Sequence, residues 1–262
     1  MKLFFIGDIV GKPGRRAIRM LLPAIRNEQG IDVVVANCEN AAGGFGVTCD
    51  VIDELLESPI DILTSGNHIW DKREIIDCID EYPTLLRPAN YPEGSPGRGW
   101  VVTNNHGGKR PLAVLNLEGR VFMRPLECPF KTARRIIRTV GDCTPVIIVD
   151  MHAEATSEKQ ALGRFLDGTV SAVIGTHTHV QTADETILPQ GTAYISDAGM
   201  TGAFDSILGI RKEAAIERFL TVRPTKFEVA KKDVRLQGVI IDIDDDSGTS
   251  LAISRVSVKL DA

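Results

Sequence analysis

The chain is poor in the residues that staple or anchor a protein. Its five cysteines, Cys38, Cys49, Cys78, Cys128 and Cys143, are scattered, odd in number and never spaced as C-x-x-C. That pattern supports neither a disulfide framework nor a thiolate zinc site, and it fits a reducing, cytoplasmic setting. No stretch reaches the ~18 uncharged apolar residues of a membrane span, and Asp8 breaks the apolar N-terminal run far short of a signal-peptide core. Positive charge is not in excess either: 30 Lys and Arg face 35 Asp and Glu, a net charge of −5. A broad basic track for nucleic acid is therefore disfavoured, whereas one pocket for a small phosphorylated substrate is not. Histidine is scarce too, with only His68, His106, His152, His177 and His179.

What is present is ordinary globular usage. Of 262 residues, 43% are apolar and 25% charged, at the upper end of what one hydrophobic core serves. No repeat, low-complexity segment or long linker divides the chain. The Pro- and Gly-rich stretch 88–97 is short for a boundary, so residues 1–262 are expected to form a single domain.

Short apolar runs alternate with amphipathic ones. Strands are expected at 3–7, 32–36, 60–63, 99–103, 112–117, 145–149 and 170–174. Helices are expected from Pro13 to near Gly30, after the N-cap candidate Thr48, and over 71–79, 129–140 and 157–166. This is an α/β pattern with a largely parallel sheet. The tail reads differently, with strands at 192–195, 227–229, 234–243 and 250–258, the last two joined by the DDDSG turn as an antiparallel hairpin. One domain with two sheets is the resulting expectation.

Against that pattern the polar residues fall non-randomly. Asp8 follows the first strand, Glu39-Asn40 the second and Asn67-His68 the third; His152 follows the strand at 145–149, and His177 and His179 follow that at 170–174. The carboxyl ends of strands are where ligands bind in open α/β sheets. Four of the five histidines lie there; His106 alone does not. Taken singly, a strand-end Asp is often a turn residue and a lone His a hydrogen-bonded core residue. Together they form a candidate metal site. His-x-His in extended chain would send both rings to one side.

The donors are oxygen and imidazole without thiolate, which suits manganese, iron or zinc and disfavours a calcium cage. There are more donors than one tetrahedral ion needs. Glu39 can bridge, so two ions ~3.5–4 Å apart are expected, a pair suited to in-line displacement at phosphorus by a bridging hydroxide.

The order Asp, acidic residue, G-N-H, His, G-x-H-x-H resembles that of the calcineurin-like metallophosphoesterases. GDIVGKPGR, ENAAGGFG, TSGNHIWD and GTHTHVQTAD resemble in particular the small bacterial YmdB-type branch of 2′,3′-cyclic-nucleotide phosphodiesterases, over effectively the whole chain. Val10 stands where many members of the wider superfamily carry a metal-binding His, and Glu39-Asn40 where they carry a bridging Asp; both departures resemble the small branch. The resemblance implies a two-sheet β-sandwich flanked by helices on both faces. It implies one metal held by Asp8, Glu39, Asn40 and His179, and a second by Glu39, Asn67, His152 and His177. His68 is the implied general acid, protonating the leaving ribose oxygen or holding the phosphate in the transition state, with a supporting hydrogen-bond donor as the alternative. The implied partner is a small phosphodiester or nucleotide, with a phosphomonoester, short RNA or a regulatory binding role as alternatives.

Other signals are weaker. GDIVGKP lacks Walker spacing, and the acidic run 242–246 lacks EF-hand spacing. Asp71 is expected to cap the next helix, with orientation of His68 as the alternative. Asp150 fits a supporting role or a surface turn, and Glu154 reaches the site only if its loop folds back. Gly43, Gly44 and Gly46 make a flexible loop. Arg134, Arg135 and Arg138 read as a solvated helix face. Phe45, Trp70 and Phe204 fit base stacking or core packing equally.

Overall fold

A computed structural model describes residues 1–103 and 110–261; His106 lies outside the described residues. The chain forms two sheets. In the first, β1 (Lys2–Ile6), β3 (Val33–Asn37) and β4 (Ile62–Thr64) run parallel. On the other side of β1, β12 (Val234–Ile243) pairs antiparallel with it and with β13 (Ser250–Lys259). β11 (Met200–Ala203) and the short β2 (Asp8–Ile9) complete that edge. In the second sheet β6 (Leu112–Glu118), β7 (Ile147–His152), β8 (Ala172–Thr176) and β10 (Ala193–Ile195) are parallel. β5 (Trp100–Thr103) and β9 (Thr186–Ile187) pair antiparallel at its two edges.

Strand periodicity explains how the sheets are covered. In β1, Leu3 and Phe5 point into a core shared with Val114, Ile148 and Ile174 of the second sheet. Phe4 and Ile6 point the other way, onto Ile18 and Leu22 of α1 (Gly11–Gln29) and Ile52 and Leu55 of α2 (Cys49–Leu56). The second sheet repeats this: Val149 and Val173 face Ile136 of α4 (Pro129–Val140) and Leu162 of α5 (Thr156–Leu166). Strands buried on both faces need continuous apolar runs, and VVVA and VIIV supply them. Thr48 caps α2 as expected, its hydroxyl accepting the Val51 N–H at 3.3 Å. Gly30 ends α1 in the left-handed region, φ 63°. Among the described residues no helix is long and apolar enough to cross a membrane.

Four sequence expectations change. The helix over 71–79 shrinks to α3 (Ile75–Cys78), because residues 66–72 turn back toward Glu39 instead of winding. The first sheet is mixed rather than largely parallel, since β11, β12 and β13 enter it from the tail. The expected strand at 227–229 is only a bridge between Val229 and Ile210. A further helix, α6 (Lys212–Thr221), has weak apolar periodicity and was not expected; Ala215 is its buried residue. The cysteine reading is also corrected. Cys49 and Cys78 are disulfide-bonded, their Cα atoms 6.5 Å apart, which joins the first residue of α2 to the last of α3. A separation of 29 residues carries no motif signal. The cysteine argument for a reducing compartment is thereby lost.

Candidate metal centre

The parallel strands of both sheets end along one rim, and every expected donor reaches it. The chain after β1 passes through Gly7, which lies so close to the Gly199 carbonyl that a Cβ there would stand 2.1 Å from its oxygen. Asp8 follows, fully buried. Glu39 and Asn40 leave β3, Asn67 and His68 leave β4, His152 ends β7, and His177 and His179 leave β8. Gly66 is obligatory in this packing: a Cβ would fall 2.2 Å from the His152 ring and 2.4 Å from Glu39 Oε2.

Glu39 is the hub. Carboxylate and imidazole atoms of Glu39, His152 and His177 all lie within 4.8 Å of one another, and so do those of Asp8, Glu39 and His179. Asn67 Oδ1, Glu39 Oε2 and His177 Nδ1 stand 3.0, 3.1 and 3.0 Å from the single His152 Nε2. One ring nitrogen carries at most one proton, so it cannot satisfy three such neighbours. On the other side, Asn40 Nδ2 lies 3.0 Å from His179 Nε2 and 3.1 Å from Glu39 Oε1. Among the described residues, Asp8 Oδ1 and Asn40 Oδ1 are buried without a hydrogen-bond partner. Orphaned buried oxygens beside converging lone pairs are what a cation would satisfy.

His177 and His179 reach the rim by a route the sequence reading did not foresee. They are not in extended chain; their φ values are 97° and 63°, both left-handed. The resulting turn sends His177 to the His152 group and His179 to the Asp8 group, either side of Glu39. Such strained backbone at a site must be held by its surroundings. Asp197 does this, accepting the Thr178 N–H at 3.0 Å, its hydroxyl at 2.7 Å and Lys159 Nζ at 3.0 Å, all on Oδ2.

Electrostatics follow from this crowding. Burial works to raise the Glu39 carboxyl, but the charge and hydrogen bond of His152, with His68 and His177, bring it down to about 2. Burial works to lower His152, yet Glu39 foremost, then Asp8 and Asp150, push it up to about 9. Burial and the neighbouring His152 charge drive His177 down to about 3. Burial raises Asp8 well above the carboxylate range, with Asp197 and Glu39 adding to it against the pull of His152.

Supporting residues complete the centre. Asp150 is fully buried rather than in a surface turn. It accepts hydrogen bonds from Asn37 Nδ2 (3.0 Å), Thr64 Oγ1 (2.5 Å) and Thr176 Oγ1 (2.7 Å), and the Thr176 hydroxyl meets His152 Nδ1 at 2.9 Å. Glu154 does fold back, its Oε2 3.1 Å from His177 Nε2. Asp71 caps no helix; its Oδ2 lies 2.7 Å from His68 Nδ1 and orients that ring. His68 is tied to the hub through its own N–H, 3.2 Å from Glu39 Oε2. Sequence reasoning missed Asn37, Thr176, Lys159 and Asp197. Asp197 had a findable signal: it stands just past the end of β10, as the donors do on their strands.

Two-sheet α/β proteins with sulfur-free Asp, Glu, Asn and His donors gathered at the joined strand ends are the class this geometry defines. The chain belongs to the YmdB-like protein family, whose model matches residues 4–256. It is 49% identical over 261 residues, all of this chain and 98% of the relative, to a Bacillus subtilis protein named 2′,3′-cyclic-nucleotide 2′-phosphodiesterase. Among solved structures it is similar to a hypothetical protein from Thermus thermophilus, at 41% identity and a TM-score of 0.92, with 99% of both chains covered. It is also similar to a Mycoplasma pneumoniae protein described as a novel phosphatase, at 33% identity and a TM-score of 0.93, covering 99% of this chain and 93% of that one.

Proposed function

We propose that the protein is a metal-dependent phosphodiesterase that hydrolyses small phosphodiesters, with 2′,3′-cyclic nucleotides as the favoured substrates. One observation carries the reading: Glu39 belongs to two separate donor groups at once, in a chain so similar to a named cyclic-nucleotide phosphodiesterase. In this reading Asp8, Glu39, Asn40 and His179 hold one ion, and Glu39, Asn67, His152 and His177 hold a second. Iron or manganese suits the donors, and zinc is compatible. The whole chain then acts as one metallophosphoesterase domain, and its three cores support an αββα layering.

Bound there, a pair of divalent ions neutralises phosphoryl oxygens and lowers the pKa of water. The chain's residues do the rest. Glu39, shared by both groups, sets their spacing. Asp150, through Thr176, holds His152 with Nε2 toward the centre. Asp71 fixes the His68 ring, which delivers a proton to the leaving ribose oxygen.

Quantitative metal analysis and a substrate panel test this together. About two transition-metal ions per chain are expected, with cyclic nucleotides cleaved faster than phosphomonoesters or oligonucleotides. His68→Ala is expected to keep its metal and lose activity by about 10²–10⁴-fold. Metal-free protein that stays inactive after manganese or iron addition would overturn the reading. Faster turnover of monoesters would reassign it as a phosphatase.

A further inference from the structure

An aromatic wall stands beside His68 that the phosphoryl chemistry does not use. Phe45, in the glycine-rich loop after Asn40, sets its ring 5.1 Å from the His68 ring, edge to face. Phe227 lies nearly parallel to Phe45, at 21° with centroids 6.5 Å apart. Arg218 of α6 holds its Cζ 4.9 Å from the Phe227 centroid. Both rings are half-buried, and neither joins any of the three cores. The other aromatic candidates stand apart from His68. Trp70 packs on the first sheet's helix-side core, tilted against Tyr91, and among the described residues Phe204, under Arg235, makes no ring contact with His68 or Phe45.

The wall is built rather than incidental. The two loops that carry it touch: a Cβ on Gly44, whose φ is +100°, would meet Val229 Cγ2 at 3.0 Å. The segment after Phe227 is tethered by the Arg211 N–H to Glu228 O (2.9 Å) and the Ala230 N–H to Gly209 O (2.8 Å). An apolar, planar surface, kept partly open within one ring's contact of the candidate acid, matches a flat group joined to the phosphate by a sugar.

We propose that Phe45 and Phe227, backed by Arg218, form a stacking platform for the nucleobase, so that this site takes nucleoside phosphodiesters in preference to phosphodiesters without a base. This rests on the phosphodiesterase reading. Stacking strengthens binding on the order of tenfold or more per base and tolerates any base, since each has a π face. Arg218 adds a cation over the far ring.

The test is steady-state kinetics of the metal-loaded full chain on the four nucleoside 2′,3′-cyclic phosphates and on methyl riboside 2′,3′-cyclic phosphate, which lacks a base. The four nucleotides are expected within a few-fold of one another. The abasic compound should fall about tenfold or more below them in kcat/KM, chiefly through KM. Phe227→Ala should bring the nucleotide-to-abasic ratio toward one, Phe227→Trp should restore it, and the exposed Arg218→Ala should lower it a few-fold. A merely structural role for Phe227 would depress both substrates together and leave the ratio intact, overturning the platform. Equal rates on both substrates in the unaltered protein would also overturn it, while the phosphodiesterase reading survived. Should no phosphodiester be cleaved at all, that reading fails instead. Calorimetric binding of adenosine 2′-phosphate against methyl riboside 2′-phosphate then decides the platform by the same ratio.

Discussion

The two sheets end on one rim but bring different chemistry to it. Strand ends and loops of the first sheet supply oxygen, from Asp8, Glu39, Asn40 and Asn67. Those of the second supply imidazole, from His152, His177 and His179. Each candidate metal group draws on both halves: Glu39 with His152 and His177, and Asp8 and Glu39 with His179. The centre therefore exists only where the sheets dock, and the core shared between them is as much a part of it as the donors. Proximity also makes the halves an ion pair. Glu39 and His152 hold each other charged across the junction, each against its own desolvation.

The strongest way to break this comparison is Glu39→Gln. It removes the one carboxylate common to both groups, leaving each with fewer oxygen donors. Metal content is expected to fall from about two ions per chain to one or none. Activity should drop by more than about 10³-fold, beyond the usual cost of one lost electrostatic donor. Metal analysis and turnover of the same preparation check it; two retained ions would show that the halves are not joined through Glu39.

A gentler break acts beneath the donors. Asp150 sits on β7 of the second sheet, yet it accepts from Asn37 and Thr64 on β3 and β4 of the first, besides Thr176. Asp150→Asn keeps the shape but weakens the acceptor for three donors. Metal affinity is expected to fall about 10–100-fold, the usual cost of disturbing a ligand's supporting partner. Competition with a chelator reads it, and an unchanged affinity would confine Asp150 to holding the sheets together.

The smallest effect sharpens the comparison through protons. With His152 pushed up to about 9, its ring is charged at neutral pH before metal binds, and a ligating imidazole must be neutral. Metal loading near pH 7 should release protons, that of His152 among them, and fewer as pH rises through about 9. Calorimetry in buffers of different ionisation enthalpy measures it. The metal-free fold follows the same pair. The raised His152 contributes fully below the ordinary histidine value of 6.5 and loses its contribution as pH rises through about 9. The lowered Glu39 contributes above the ordinary 4.5 and loses its contribution as pH falls through about 2.

Much of this was legible before the structure. Runs such as VVVA, bounded by turn signals, announce buried strands, and the donors stand at their ends because parallel strands deliver every such loop to one edge. Four features were hidden. The 71–79 segment has helical periodicity, but His68 is bonded to the hub and Asp71 to His68, which overrides propensity. The left-handed turn at His177 and His179 is imposed by Asp197, a residue far along the chain. The disulfide between Cys49 and Cys78 depends on the start of α2 meeting the end of α3 in space. Phe227 and Arg218 belong to a region with little periodicity, and their nearness to Phe45 has no local signature.

The sequence by itself determined which atoms are available: few histidines, no paired thiolate motif, and oxygen donors spaced one cluster per strand. Local pattern suffices for that, because strand ends and residue chemistry are properties of short segments. The resemblance already implied how those donors divide around Glu39; only the tertiary structure decided which buried groups hold them and which aromatic rings stand beside His68. Those outcomes depend on the two sheets sharing one buried core through Phe5, Ile148 and Ile174. Contacts across such an interface join residues far apart in the chain, and no local window contains both partners.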